Sequence, residues 1–165
     1  MSISSVLAQS TLFSALDKQQ LQRVAHLGTR ETQAAETTLF HEGDKLQRLY
    51  IIERGSVKLT TDVRLWDGSG TLQSIVSIIE GGGTFGWSAL IWPNLATLAA
   101  HSREQCSLIT INGQELIHLL DDDPLMGYRV MKALATLVAR RLDTARSIIM
   151  SERAMDVQRH PVPAF

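Results

Sequence analysis

The sequence predicts a mainly β domain of antiparallel strands in a barrel or sandwich, with a helix before the strands and a long helix after them. Three observations carry that prediction. Between residues 29 and 111, short β-rich stretches alternate with Gly, Asp, Asn and Ser turn residues. Ahead of them, Asp17 followed by Gln20 has the form of a helix capping box. Behind them, Pro124 opens a stretch whose apolar residues recur at three-and-four spacing.

Residues 1–28 form the N-terminal helical segment. Leu21, Val24 and Ala25 follow the capping box at helical spacing, and His26-Leu27-Gly28 supplies an end, with Gly28 free to take a positive φ. Residues 29–112 form the β domain. The turn Gly43-Asp44 follows Leu39-Phe40, and Leu49-Tyr50-Ile51-Ile52 reads as a strand. Glu53-Arg54-Gly55-Ser56 then turns the chain into Val57-Lys58-Leu59. Asp67-Gly68-Ser69-Gly70 is the clearest hairpin tip. Ile75-Val76-Ser77-Ile78-Ile79 reads as a buried strand, closed by Gly81-Gly82-Gly83. In the last strand, Cys106 to Ile111, Leu108 and Thr110 face opposite Ile109 and Ile111.

Residues 113–151 return to helix. Glu115 to Leu120 makes a short one, and Asp123 before Pro124 is placed to cap the next, with Asp121 and Asp122 adding negative charge at its positive end. The long helix is expected to end near Ser151. Met131, Leu134, Val138, Ala145 and Ile149 repeat along it, and Leu137, Leu142 and Ile148 widen the face. One face suits the β domain and the other a partner helix, so a homodimer through residues 124–150 is expected. Lys132, Arg140, Arg141 and Arg146 read as a solvated basic face. The tail, residues 152–165, carries Pro161 and Pro163 and is expected to be disordered.

The 165 residues suit one domain, and 16 basic against 17 acidic side chains leave no basic excess, which argues against direct nucleic-acid binding. The single cysteine, Cys106, excludes an intrachain disulfide or a multi-thiolate metal site and suits the cytoplasm. The N-terminus lacks a signal-peptide pattern, and no apolar run approaches the roughly 18 residues needed to span a membrane. His26, His41, His101, His118 and His160 show no close metal-ligand spacing, leaving haem ligation by His41 or His101 a minor reading. Gly81-Gly82-Gly83 is not followed by the Lys of a phosphate loop, and no catalytic constellation is present, so an enzyme is not expected.

Several of these blocks together resemble a known family. Leu39-Phe40-His41-Glu42-Gly43-Asp44, then Leu49 through Val57, resemble the early strands of the cyclic-nucleotide-binding domains of the catabolite activator family, kinase A regulatory subunits and nucleotide-gated channels. Ile75 to Gly86 is similar to the strand entering that family's phosphate-binding cassette. Cys106 to Ile149 is similar to its last strand and its B and C helices. The resemblance, over roughly residues 12–150, implies a jelly-roll β-barrel whose cassette, here residues 85–97, holds a cyclic phosphate with backbone N–H groups and one arginine.

The cassette departs from the family pattern Phe-Gly-Glu-Leu-Ala-Leu, then Arg-Ala-Ala-Thr. Here Phe85-Gly86-Trp87-Ser88-Ala89-Leu90 precedes Asn94-Leu95-Ala96-Thr97 across a slightly shortened linker. Trp87 stands at the glutamate that accepts from the ribose, and Asn94 at the phosphate arginine. The resemblance therefore implies a ligand site of Phe85, Gly86, Trp87, Ser88, Ala89, Leu90, Asn94 and Thr97, with Arg103 arriving from a neighbouring strand. Ser88 reads either as an anion ligand or as a plain N-cap. Trp87 and Trp92 either stack on a ligand or fill the barrel mouth.

The leading expectation is a sensor that needs no cofactor, binds a small anionic effector, with cAMP or cGMP as weak candidates, and signals through its C-terminal helix to an unknown downstream protein. The alternative is a dimerisation or docking module that has lost its ligand. A truncated transcription regulator is the third reading. Because the chain stops soon after the long helix, the activator family's helix-turn-helix domain is not expected in it.

Overall fold

The computed structural model describes residues 1–64, 68 and 70–159, with 148, 149 and 151–159 as backbone alone. Two short helices open the chain. The Ser2 side chain accepts the Ser5 N–H to start α1 (Ile3–Ala8). The expected capping box starts α2 (Lys18–Leu27): Asp17 Oδ1 accepts the Gln20 N–H at 2.9 Å and Gln20 Oε1 accepts the Asp17 N–H at 3.3 Å.

Eight strands follow: β1 (Gly28–Gln33), β2 (Thr38–Phe40), β3 (Arg48–Arg54), β4 (Val57–Arg64), β5 (Thr71–Ile79), β6 (Thr84–Phe85), β7 (Ala99–Ser102) and β8 (Cys106–Asn112). They make two four-stranded antiparallel sheets, in the orders β1-β8-β3-β6 and β2-β7-β4-β5, the jelly-roll arrangement that the family resemblance implies. Phe40, Ile52, Val57, Leu59, Phe85, Ala100 and Leu108, drawn from both sheets, fill the space between them.

Pleat alternation gives the first sheet a second core. Ile109 and Ile111 of β8, with Leu49 and Ile51 of β3, point away from Leu108 and Ile52 and pack against the helices. All six residues are fully buried. The helical layer comprises α1, α2, α3 (Gly113–Asp121) and α4 (Pro124–Arg159), contributing Leu7, Val24, Leu116, Met126, Val130 and Leu134. Asp123 caps α4 as expected, accepting the Met126 N–H at 3.0 Å, and that bond holds its carboxyl below the usual range. Its other oxygen accepts from Arg23 at 2.8 Å, tying α2 to α4.

Four expectations are corrected. Gly28 is an extended residue of φ −83° opening β1, and its lack of a side chain serves packing: a Cβ there would lie 3.0 Å from Ile3 and 3.1 Å from Ile109. The run Ile75–Ile79 is not buried, because β5 is a sheet edge; Ile75 is 55% and Ile78 43% exposed. Helix α4 runs past Ser151 to Arg159. Its core face is Met126, Val130 and Leu134, whereas Met131 is exposed beside Leu125 and Tyr128. The β4–β5 hairpin forms with Arg64 opposite Thr71; Asp67 and Ser69 of its tip, Pro161 and Pro163, and the side chains of Ile148 and Ile149 lie outside the described residues.

The contrast between the two strand types is measurable. Ile109→Ala is expected to lower unfolding free energy by about 2–5 kcal/mol, and Ile75→Ala by no more than about 0.5 kcal/mol. Urea denaturation of both variants checks the two assignments together.

Candidate functional site

The cassette is built outward from a glycine. Gly86 follows β6 with φ 72°, and a Cβ on it would lie 2.8 Å from the Tyr50 ring and 3.0 Å from the Arg48 carbonyl. Both the dihedral and the space therefore require glycine. Before it, Phe85 is fully buried and stacks on Tyr50 with centroids 5.0 Å apart, so the strand end is anchored in the inter-sheet core. After it, Trp87–Leu90 makes one turn of 3-10 helix capped by Gly86 rather than by Ser88. Ala89 and Leu90 are buried behind this turn, which leaves Trp87 and Ser88 facing forward.

Asn94 closes the loop. It adopts φ 62°, a left-handed geometry that asparagine tolerates, and its side-chain N–H groups donate to the Ser88 and Ala89 carbonyls, both at 3.1 Å. Its own carbonyl accepts the Leu46 N–H at 2.7 Å. The side chain is thus an internal brace of the cassette. Its polar groups are turned to backbone, and it does not line the cavity that the cassette faces.

That cavity, of about 340 Å³, lies between the cassette, the inner face of the second sheet and α4. Gly86, Trp87, Ser88 and Thr97 line it, so the fold brings together four of the residues expected at the site. Phe40, Leu46, Leu59 and Val76 give it an apolar floor, and Val138, Leu142 and Ala145 of α4 form its roof. Trp92 is not part of it and is 87% exposed. Arg103 is not part of it either: it is an exposed residue of the β7–β8 turn, where its N–H donates to the Ser56 carbonyl.

The residue that sequence reasoning misplaced is Arg141. It was expected on a solvated basic face of α4, yet it lines the cavity and donates from Nη2 to the Thr84 carbonyl at 2.7 Å. Burial pushes its guanidinium below the ordinary value, and among the described residues it has no carboxylate partner. A trace of this was legible. Arg141 follows Val138 by three residues and Leu134 by seven, which puts it on the helix's apolar face.

His101 on β7 is a partly buried titratable residue of the second sheet. Its Nδ1 lies 2.9 Å from Thr38 Oγ1 and its Nε2 3.2 Å from Thr60 Oγ1, so two hydroxyls occupy the ring nitrogens. Burial, then Lys58 and His41, depress its pKa, against weaker opposing effects of Glu36 and Asp62.

Residues 30–123, more than half of the chain, match the profile of the cyclic nucleotide-binding domain. The chain belongs to that family. Among solved structures, the N-terminal domain of a transcriptional regulator from Streptomyces coelicolor is 26% identical, with TM-score 0.68 over 84% of this chain and 93% of that one. The regulatory domain of Toxoplasma gondii PKA, crystallised with cAMP, is 26% identical with TM-score 0.63, over 73% of this chain and 44% of that one. The Thermus thermophilus catabolite activator protein shares the fold at 22% identity and TM-score 0.69, over 89% of this chain and 63% of its own length. No curated protein matches the chain.

Asn94→Ala loses both carbonyl contacts and strains a positive φ, and is expected to destabilise the domain by about 1–3 kcal/mol in thermal unfolding. Asn94→Gly keeps the backbone geometry and isolates the amide's share. For His101, the depressed native pKa means that the unfolded chain binds the proton more readily. Its contribution is therefore complete above the ordinary imidazole value of about 6.5 and is lost as pH falls through the native value. His101→Gln should flatten the stability profile in that acid range, which a pH series of urea melts reads directly.

Proposed function

We propose that this chain is a regulatory module rather than a catalyst, in which a small anionic effector enters the cavity beneath α4 and biases the position of that helix. Arg141 carries the reading. It brings a permanent positive charge into an otherwise uncharged cavity, and it sits on the helix that would report occupancy. An effector held by Arg141 touches the moving part directly, which supplies the differential contact a two-state shift requires. Family membership supports the effector class, and the cAMP-bound Toxoplasma domain makes cyclic nucleotides candidates. Weak binding of cAMP or cGMP is expected, because Trp87 occupies the ribose-acceptor position and the Asn94 amide is held by the cassette's own carbonyls.

Dimerisation through residues 124–150 belongs to the same proposal, supported by the exposed Leu125, Tyr128 and Met131 on α4. An unidentified downstream protein would read the helix. A cytoplasmic setting is supported by the single, buried Cys106; no helix among the described residues is long and apolar enough to cross a membrane. Two other readings have specific support. A ligand-free docking module is favoured by Trp87 and by the inward-turned Asn94. A piece of a transcription regulator is favoured by the likeness to the Streptomyces domain.

Calorimetric titration with cAMP and cGMP tests the effector reading. Weak binding that drops roughly ten- to a hundredfold in Arg141→Gln is expected. Binding indifferent to Arg141 would move recognition to the cassette amides and hydroxyls. For the dimer, Tyr128→Asp with Met131→Asp should lower the mass seen by light scattering. Leu134 is unsuitable for that test because it is buried in the chain's own core.

A further inference from the structure

The walls of the cavity specify more than a charge. Arg141 is the one ionisable side chain among the described residues that line it. The other polar side chains there are hydroxyls, Ser77, Ser88, Thr97 and Thr144, together with the Trp87 indole. The remaining surface is aliphatic or aromatic. A phosphate diester on a ribose and a purine would bring many hydrogen-bonding groups into a space with few partners, and each unpaired group costs about 1–3 kcal/mol. A wholly apolar molecule would leave the Arg141 charge desolvated with a single carbonyl for company, which is also unfavourable.

The guanidinium has donors to offer. It carries five N–H groups, and among the described residues the Thr84 carbonyl is its hydrogen-bond partner. No buried side-chain nitrogen or oxygen among the described residues lacks a hydrogen bond, so its remaining donors open onto accessible space. Two parallel N–H groups of a guanidinium match the two oxygens of one carboxylate.

We propose that the preferred effector is an amphipathic monocarboxylate: a carboxylate clamped by Arg141, with an aliphatic or aromatic body against Leu59, Val76 and Trp87. This rests on the effector reading above and narrows it from any small anion to one chemical class. The helix is engaged at the anionic end of the ligand, while the apolar end is read by the sheet and the cassette. Thr84 keeps its bond to Nη2, so the ligand adds to the existing contact.

The test uses the full chain with Trp66→Phe and Trp92→Phe, which leaves Trp87 as the sole tryptophan and its fluorescence as a reporter of the cavity. The probes are octanoate and hydrocinnamate, their neutral amides octanamide and hydrocinnamamide, and cAMP. The expected result is that at least one carboxylate binds tenfold or more tightly than cAMP and than its own amide. Arg141→Gln should remove that preference over the amide, and Arg141→Lys should restore part of it. The comparison of acid with amide on unaltered Arg141 stands even if the Arg141 variants fold poorly. If cAMP binds as tightly as the carboxylates, or more so, in an Arg141-dependent way, the monocarboxylate class is overturned and the effector reading stands. Equal affinity for acid and amide overturns the clamp. If neither the carboxylates nor cAMP changes Trp87 fluorescence or releases heat, the inference and the effector reading are overturned together.

Discussion

Strand β8 belongs to two hydrophobic cores at once, and the rest of the molecule is arranged by that fact. Its even-numbered apolar residues, Cys106 and Leu108, pack between the sheets, while Ile109 and Ile111 pack against the helices. A slip of one residue would exchange the two sets and disrupt both cores together, so the register is fixed from two sides. The constraint reaches the cassette through the next residue. Gly113 presses so closely on the Ala89 carbonyl that a Cβ would lie 2.4 Å from it. The back of the cassette is therefore seated on the end of β8, and the direction in which Trp87 and Ser88 face is inherited from the sheet.

Within that frame the cavity's positive charge stands on α4. The family pattern puts an arginine on the cassette, where it would meet the ligand from a loop. Here the loop position holds Asn94, and the cation that reaches the cavity comes from α4. A charge on a loop needs some relay to move a helix. In the proposed sensor a charge on the helix would need none, because recognition and displacement would involve the same residue.

The fold was legible because its signals are local and repeated. Capping residues at Asp17 and Asp123, turn glycines at Gly43 and Gly55, and alternation on β8 each report a backbone geometry that few other residues satisfy. The site was less legible for two physical reasons. Periodicity locates apolar faces but not sheet edges, so Ile75 and Ile78 read as buried although β5 has a neighbour on one side alone. Residue type also does not say where a long side chain ends. Arg141 and Arg140 are adjacent on a basic helix, yet the first enters the cavity and the second stays exposed. Gly86, Ser88 and Thr97 were singled out by the resemblance and line the cavity, whereas Asn94, singled out in the same way, turns its side chain to the cassette's own carbonyls.

The brace at Asn94 also limits what the loop can be changed into. Two carbonyls of the cassette depend on this side chain, and its backbone sits where asparagine or glycine is comfortable. An arginine installed here to present a charge from the loop would first remove a support of that loop. Exchanging the brace for a cation therefore trades rigidity for charge, and α4 is left as the less costly place from which to alter the cavity's electrostatics.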